Sequence, residues 1–390
     1  MAQLQSDANL DGATEVEGYK VLPPCVIYSK IGQGGMGAVY RGRHLNLDID
    51  VAVKCLKPGL VGDDEQFVVR FRREARSAAA INHQNVIRVY DVAEDHGLHY
   101  LIMELVQGET ARERVVRKQR LQVGEALEIV HGAALGLAEA HRKGFIHRDI
   151  KPDNIMISSA GQVKLADLGL AKAMTRDDHA SMLSAANMVM GTPQYMPPEQ
   201  WEDTASVTAA ADIWALGATL YYLLVGVEAI PKDSLPRIMQ RIVHRPFPDV
   251  RAERADVPDE VAELINKATR TAVAERFQNG QELAAAIEAL QSRRDGLRDK
   301  DAAPSTQLQT LLSPPPPKTL AKIKFWLDEQ SQKPAVSAPG RPRPGGAAGS
   351  SRAGADGSSF STQSTVPGSQ SLPRPRRLKA LSGALVIVAA

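Results

Sequence analysis

Between Val26 and about Leu56 the apolar positions fall in three short runs, separated first by a glycine-rich stretch and then by a polar one. That pattern predicts strand, turn, strand, turn, strand. The period then lengthens. Within Asp64 to Asn82, the residues Phe67, Phe71, Ala75 and Ala79 recur every four positions, as on one face of an amphipathic helix. Val86 to Asp91 and His99 to Glu104 return to strand-like runs. The first hundred residues thus predict a small sheet crossed by a single helix.

After Gly108 the pattern turns mostly helical. Glu125 to Lys143 sets Ile129, Val130, Ala133, Leu137 and Ala140 along one stripe, and Gly144 follows as a stop signal. Two short apolar runs come next, Ile155 to Ile157 and Val163 to Leu165, with the turn-prone Ser158-Ser159-Ala160-Gly161 between them. They predict a β-hairpin, and antiparallel pairing would return Asp167 to the end where Asn154 lies. Ala209 to Leu224 reads as a buried helix and Val257 to Leu290 as further helices. The expected class is α+β, with a small antiparallel sheet lobe and a larger, mainly helical lobe.

Composition changes this picture at the two ends. Apolar residues make up 43% and charged residues 24% of the 390, as in a soluble globular protein. Met1 to Gly18 is polar and acidic, without the apolar core of a signal peptide, so residues 1–26 are expected to be a flexible leader and the globular part cytoplasmic. Near Gln291 the chain becomes rich in Pro, Ser, Gly, Ala and Gln, including four prolines at 314–317, and residues 292–373 are expected to be a disordered linker. Leu320 to Leu327, with Ile323, Phe325 and Trp326, stands out there as either an amphipathic docking segment or a transiently helical piece of linker.

From Asp301 onward there are eleven Lys and Arg against four Asp and Glu, which leaves an acidic globule with a basic tail. This argues against nucleic-acid binding and suits a tail near an anionic surface. Residues 374–390 set Arg374, Arg376, Arg377 and Lys379 before eleven uncharged residues. Eleven are fewer than the roughly 17–25 that span a bilayer. The expectation is a basic juxtamembrane stretch and the start of a transmembrane helix that anchors the protein to the cell membrane; the alternative is a greasy, disordered end. Cys25 and Cys55, far apart and in no Cys-x-x-Cys pattern, argue against a disulfide framework and a structural zinc site, and Cys55 reads as a small buried or half-buried thiol.

The candidate chemistry lies in His147-Arg148-Asp149-Ile150-Lys151-Pro152-Asp153-Asn154, followed at a distance by Asp167-Leu168-Gly169. An Asp can orient a hydroxyl, a Lys can neutralise a phosphoryl group, and Asn and a second Asp can hold a metal ion. In this order they suggest phosphoryl transfer from ATP. Upstream, Gly32-Gln33-Gly34-Gly35-Met36-Gly37-Ala38-Val39 lets backbone amides close over phosphates. A strand follows it, where a dinucleotide-binding motif would open a helix. In Val51-Ala52-Val53-Lys54, residues 52 and 54 share one face of a strand: Ala52 is small enough to lie against adenine and Lys54 can reach the phosphates. Glu74 is the best candidate to pair with Lys54, with Glu65 the nearest alternative.

Together these motifs resemble the eukaryotic-like (Hanks-type) protein kinases, and most closely the bacterial PknB-like serine/threonine kinases, over residues 27–291 (small lobe 27–105, large lobe 106–291). The resemblance implies ATP and Mg2+ (or Mn2+) as cofactors and protein serine or threonine as acceptor. It implies Asp149 as catalytic base, Lys151 as the phosphate-neutralising residue, and Asn154 and Asp167 as metal ligands. Thr192, in Gly191-Thr192-Pro193, would support Asp149 and Lys151. The hinge resembles Met103-Glu104-Leu105-Val106: backbone groups of Glu104 and Val106 would bind adenine, Met103 would be the gatekeeper, and Ile31, Val39, Ala52 and Met156 would sandwich the ring. Glu199 of Pro197-Pro198-Glu199 would pair with Arg276, and Asp212 would belong to the buried helix that anchors the catalytic loop. Relatives often pair through their small lobes, which implies a homodimer as a partner state.

Leu168 stands where Phe is usual and Pro197 where a small residue is usual. Met174 to Met190 holds only three hydroxyls, Thr175, Ser181 and Ser184, with Ser184, or else Ser181, expected to be autophosphorylated. A nucleotide-binding scaffold and a kinase of small molecules or lipids are the competing readings. Retention of Lys54, Asp149 and Asp167 argues against the first, and the Gly-Thr-Pro to Pro-Pro-Glu segment against the second.

Overall fold

The pairing of β1 (Thr14–Val16), β2 (Tyr19–Leu22), β3 (Cys25–Gln33), β4 (Gly37–His44), β5 (Ile49–Leu56), β6 (Val89–Asp95) and β7 (Leu98–Glu104) is antiparallel throughout, in the order β1-β2-β3-β4-β5-β7-β6. This computed structural model describes residues 7–35, 37–57, 65–168, 193–202, 207–244, 247–294 and 315–332. Strand alternation divides the sheet's side chains between two faces. Ile27, Tyr40, Val51, Val53, Tyr100 and Ile102 fill one buried cluster, while Ala52, Leu101 and Met103 pack on the other side against Phe67, Phe71 and Ala75 of α1 (Glu65–Ala79). The four-residue period of those helical side chains is therefore the face that the helix buries.

The stretch expected to be a flexible leader is in part folded. A short 3-10 turn at Ala8–Leu10 precedes β1 and β2, and Leu10 and Leu22 are fully buried with Cys25 and Ile27. Asp7 accepts a hydrogen bond from the Asn9 N–H at 3.1 Å and pairs with Lys30 at 2.9 Å, and the Tyr100 hydroxyl donates to the Pro23 carbonyl at 2.6 Å. Pairing with β3 supplies what the short polar runs lack on their own.

The large lobe is built around α5 (Ala210–Val225), in which every residue from Ala210 to Leu224 is buried. A helix apolar all round can only lie inside a core. Around it lie α2 (Ala111–Lys118), α3 (Val123–Arg142), α4 (Pro198–Glu202), α6 (Leu235–His244), α7 (Val250–Glu253), α8 (Asp259–Ala268) and α9 (Gly280–Arg294). A three-stranded sheet, β10-β9-β8, joins β8 (Gly108–Thr110), β9 (Ile155–Ser158) and β10 (Val163–Leu165). The predicted hairpin is β9–β10, with Ile155 opposite Leu165. Gly136 seats α3 against it: a Cβ there would lie 2.5 Å from the Asn85 carbonyl oxygen and 3.0 Å from the Leu165 side chain.

In the C-terminal region the structure describes α10 (Pro317–Gln332), whose Ile323 is fully buried against Val21, Val26 and Leu45. Of the two readings of Leu320 to Leu327, docking is the one the structure shows. Among the described residues no helix is long and apolar enough to cross a membrane, and residues 374–390 lie outside them.

Candidate active site

Asp149 sits on the connection between α3 and β9, and its carboxylate is held from two sides. Oδ2 accepts from Lys151 Nζ at 2.8 Å and from Asn154 Nδ2 at 3.0 Å. The same Asn154 amide nitrogen donates to the Asp149 carbonyl at 2.8 Å. With Nδ2 committed to Asp149, the carbonyl oxygen of Asn154 is the atom left to coordinate a cation. The hairpin brings Asp167 to the same end: the Ala166 N–H donates to the main-chain carbonyl of Asn154 at 2.9 Å, leaving its side-chain Oδ1 free among the described residues.

Behind this loop lies a buried polar network. Asp212, 1% exposed in the first turn of α5, accepts from the His147 N–H at 2.7 Å, the Arg148 N–H at 2.8 Å and His141 Nε2 at 2.9 Å. His141 Nδ1 accepts from the Gly280 N–H at 3.1 Å, which fixes the tautomer that donates through Nε2. His147 is fixed likewise: Nδ1 accepts from the Asp149 N–H at 3.3 Å and Nε2 donates to the Ala166 carbonyl at 2.9 Å. Burial pushes the Asp212 carboxyl up, but the bonds from His141 and the His147 N–H outweigh it and hold the group below its ordinary value. Arg148 and Asp167 adopt left-handed backbone, with φ of 66° and 59°. Such positions cost about 1–3 kcal/mol each and persist where the surroundings over-determine them.

From the small lobe, Lys54 of β5 reaches across to Asp167, Nζ to Oδ1 2.7 Å. Burial raises the Asp167 carboxyl, and Lys54 more than offsets it, so the group is held below its ordinary value. Here the structure departs from expectation. Lys54 pairs with Asp167 rather than with Glu74, whose carboxylate accepts from Arg73 at 3.2 Å. Glu74 is nonetheless 4% exposed, a buried carboxylate on α1 rather than a solvated one. Leu168 packs with Ala78 of that helix, with Ile81 just past its end and with Ala140 of α3, so Leu serves as the apolar anchor in place of Phe.

The expected nucleotide-facing residues fall into register. Val39 lies opposite both Gly32 and Lys54, and Ala52 opposite Met103. Val39, Ala52, Met103 and Leu105 belong to one apolar cluster. Glu104 ends β7 and ties to β10 through Lys164 at 3.0 Å. Ile31 is exposed at the end of β3, and Met156 is half-buried in β9 opposite Thr110 and Lys164. Gln33, Gly34, Gly35 and Gly37 are described, with the Gly34 N–H donating to the Gly37 carbonyl at 2.8 Å. Met36, Gly191, Thr192, Thr175, Ser181 and Ser184 lie outside the described residues.

Beyond the activation segment, Glu199 and Arg276 form the expected pair at 2.7 Å. Gln200 Nε2 donates to the Arg148 carbonyl at 3.1 Å, linking this platform to the catalytic loop. His141 escaped the sequence reading; a lone histidine on the last turn of an apolar helix was its signal. Arg112 escaped it too. It bridges Asp153 at 2.8 Å and Glu228 at 3.0 Å and stacks on Tyr222 at 4.7 Å.

A sheet lobe carrying a glycine loop and a lysine, set over a helical lobe carrying Asp149, Asn154 and Asp167, is the fold of a protein kinase. Residues 25–289 match the family described as the protein kinase domain. The chain is 35% identical over 265 residues to the serine/threonine-protein kinase PknL of Mycobacterium tuberculosis, covering 68% of this chain and 65% of PknL. It is 38% identical over 260 residues to PknB of Mycolicibacterium smegmatis, covering 65% of this chain and 41% of PknB. The crystal structure of the PknI kinase domain of Mycobacterium tuberculosis superposes with a TM-score of 0.57 at 27% identity, covering 70% of this chain and 99% of that domain. The chain belongs to the protein kinase domain family, among the Hanks-type kinases of bacteria. It spans 65% or less of the length of PknL and PknB.

Proposed function

We propose that this chain transfers the γ-phosphoryl group of ATP to serine or threonine hydroxyls of proteins, as a signalling kinase. One observation carries the reading: the Asp149 carboxylate is held by Lys151 and Asn154, and the β9–β10 hairpin that follows returns Asp167 to the same end, where it lies 2.7 Å from Lys54. Asp149 would orient the attacking hydroxyl and accept its proton as the oxygen–phosphorus bond forms and the bond to ADP breaks. Lys151 would neutralise the phosphoryl group in flight, and Lys54 would hold the α- and β-phosphates. Bound Mg2+ would supply charge neutralisation of those phosphates. The oxygen donors Asn154 and Asp167 fit it, since Mg2+ takes one or two protein oxygens and completes its shell with phosphates and water. With nucleotide present, Lys54 would exchange Asp167 for phosphate and Glu74.

Arg148 supports regulation by activation-loop phosphorylation. It is half-buried on the catalytic loop, and its buried Nε has no hydrogen-bond partner among the described residues. A phosphate on Ser184 or Ser181 would supply one. Placement at the cell membrane rests on the basic and uncharged stretch 374–390 alone. Pairing of two copies through the small lobe rests on resemblance, and Val21, Val26 and Leu45 of that lobe are already covered by α10.

The test is incubation of the full chain with radiolabelled ATP and Mg2+, alone and with a generic basic protein, beside Lys54→Met. Label on Ser or Thr that the control lacks supports the reading, and phosphopeptide mapping then locates the sites. ATP binding with no transfer, in the presence of either metal, would move the chain to the scaffold reading.

A further inference from the structure

Two segments outside the family match, residues 7–22 and 317–332, meet on the outer side of the small lobe. The strand pair β2–β3 serves two cores at once. Leu22, Cys25 and Ile27 face the inner cluster with Leu10, Tyr40 and Val53. Val21 and Val26, opposite each other in register, face the other way with Leu45 and are fully buried. What buries them is α10. Leu320, Ile323, Trp326 and Leu327 lie at the three- and four-residue spacing of one helix face and pack together on that patch, where Val16 and Tyr19 of β1 and β2 join them. Phe325, on the opposite face, is 71% exposed. At the rim Lys322 pairs with Glu17 at 3.1 Å.

The strand under the helix is also the strand that leads to the nucleotide site. β3 runs from Cys25 beneath α10 to Gln33 in the glycine loop. Its pairing with β4 is interrupted twice, between Ile27 and Ser29 and between Lys30 and Gly32, whereas β4 pairs with β5 without a break. A strand with a broken ladder depends on what packs against it for its placement. The large lobe ends with α9 at Arg294, so the tail must pass from that lobe back to the small one. The intervening 22 residues can reach about 75 Å when extended, ample for that path.

We propose that α10 is a clasp of the small lobe: seated in cis on Val21, Val26 and Leu45, it holds β3 and the glycine loop in place and so sets the affinity for ATP. The functional kinase unit then runs to residue 332, well past the end of the family match. The nucleotide half of this inference rests on the proposed function; the docking half does not.

The test compares the full chain with two variants carrying the same added charge on opposite faces of α10, Ile323→Asp and Phe325→Asp. The milder pair Leu320→Ala with Leu327→Ala guards against misfolding. Hydrogen exchange of residues 19–27 is read first, and the Kd of ATP–Mg2+ is then read by calorimetry. The clasp predicts exchange faster by about tenfold or more in Ile323→Asp, with the same direction in the alanine pair, and wild-type exchange in Phe325→Asp. It predicts a Kd weaker by about fivefold in Ile323→Asp, a smaller weakening in the alanine pair, and a wild-type Kd in Phe325→Asp. Wild-type exchange in Ile323→Asp would overturn the docking. Faster exchange with an unchanged Kd would overturn the control of nucleotide binding. A wild-type chain that binds no ATP would overturn that half together with the proposed function, while the exchange contrast would still decide the docking.

Discussion

Arg276 and Glu199 form a bidentate ion pair, at 2.7 and 2.8 Å, in which every donor of the guanidinium is used. Nε donates to the Arg270 carbonyl at 2.6 Å, and the two remaining Nη protons go to Ala210 at 3.2 Å and Thr271 at 3.1 Å. The Arg276 side chain is fully buried and stacks over Trp214 at 4.9 Å. Arg276→Ala is expected to cost about 3–5 kcal/mol, because it strands Glu199 and three carbonyls. Arg276→Lys should recover less than half of that, since an ammonium cannot reproduce the fork. Urea denaturation of the full chain measures both.

The glycine loop divides into a structural and a functional part. A Cβ on Gly37 would lie 1.9 Å from the Cys55 carbonyl oxygen, in the backbone of β5, whereas one on Gly35 meets nothing within 4 Å. Gly37→Ala should therefore lose about 2 kcal/mol of stability or more through forced separation of β4 and β5. Gly35→Ala should keep the wild-type melting curve. Any effect of Gly35→Ala would appear in the ATP Kd, and a stability loss equal to that of Gly37→Ala would refute the division.

Asp149→Asn keeps the size of the side chain and one oxygen for Lys151 and Asn154, but can no longer accept a proton. Turnover is expected to fall by about 10²–10⁴-fold with ATP affinity close to wild type. Single-turnover phosphorylation and calorimetry on the same sample separate the two effects. An equal loss in both would mean that Asp149 acts in binding.

Acid stability should report the network around Asp212. Its folded pKa lies below the ordinary 3.8. The unfolded chain therefore binds the extra proton first as pH falls, and the stabilisation is fully present above about pH 4 and lost on descent through the folded value. Asp212→Asn places an amide N–H₂ against donors from His141, His147 or Arg148. At pH 7 it should be about 2–4 kcal/mol less stable, and the difference from wild type should shrink below pH 4. Denaturant midpoints at pH 7, 4 and 3 give the comparison, and a constant difference would remove Asp212 from the network's pH response.

The large-lobe site was legible because its chemistry is local. Asp149, Lys151 and Asn154 lie within one turn of chain, and the β9–β10 hairpin that carries Asp167 round to them is written in a short apolar–turn–apolar pattern. Register was legible where strands alternate, as for Ala52 and Lys54. The fold at residues 7–22 was not, because β1 and β2 are only three and four residues long, and their apolar side chains are buried by partners distant in sequence, β3 and α10. The docking of α10 stayed ambiguous for the same reason: Ile323 has its partners about three hundred residues away. The choice of Lys54 between Glu74 and Asp167 leaves no mark in composition or spacing. It depends on where α1 sits and on the left-handed turn at Asp167, both of which are set by packing between lobes.

The hydrogen bond from the Ala166 N–H to the Asn154 carbonyl closes a loop of only a dozen residues around β9 and β10. Closing so short a loop carries a small entropic cost. The two candidate metal ligands thus form a nearly rigid jaw that belongs wholly to the large lobe. Lys54 belongs to the other lobe and, among the described residues, meets the jaw at Asp167. Rocking of the lobes would leave the jaw unchanged and vary the distance from Lys54 to it, a mechanical coordinate that would tune this site between idle and competent.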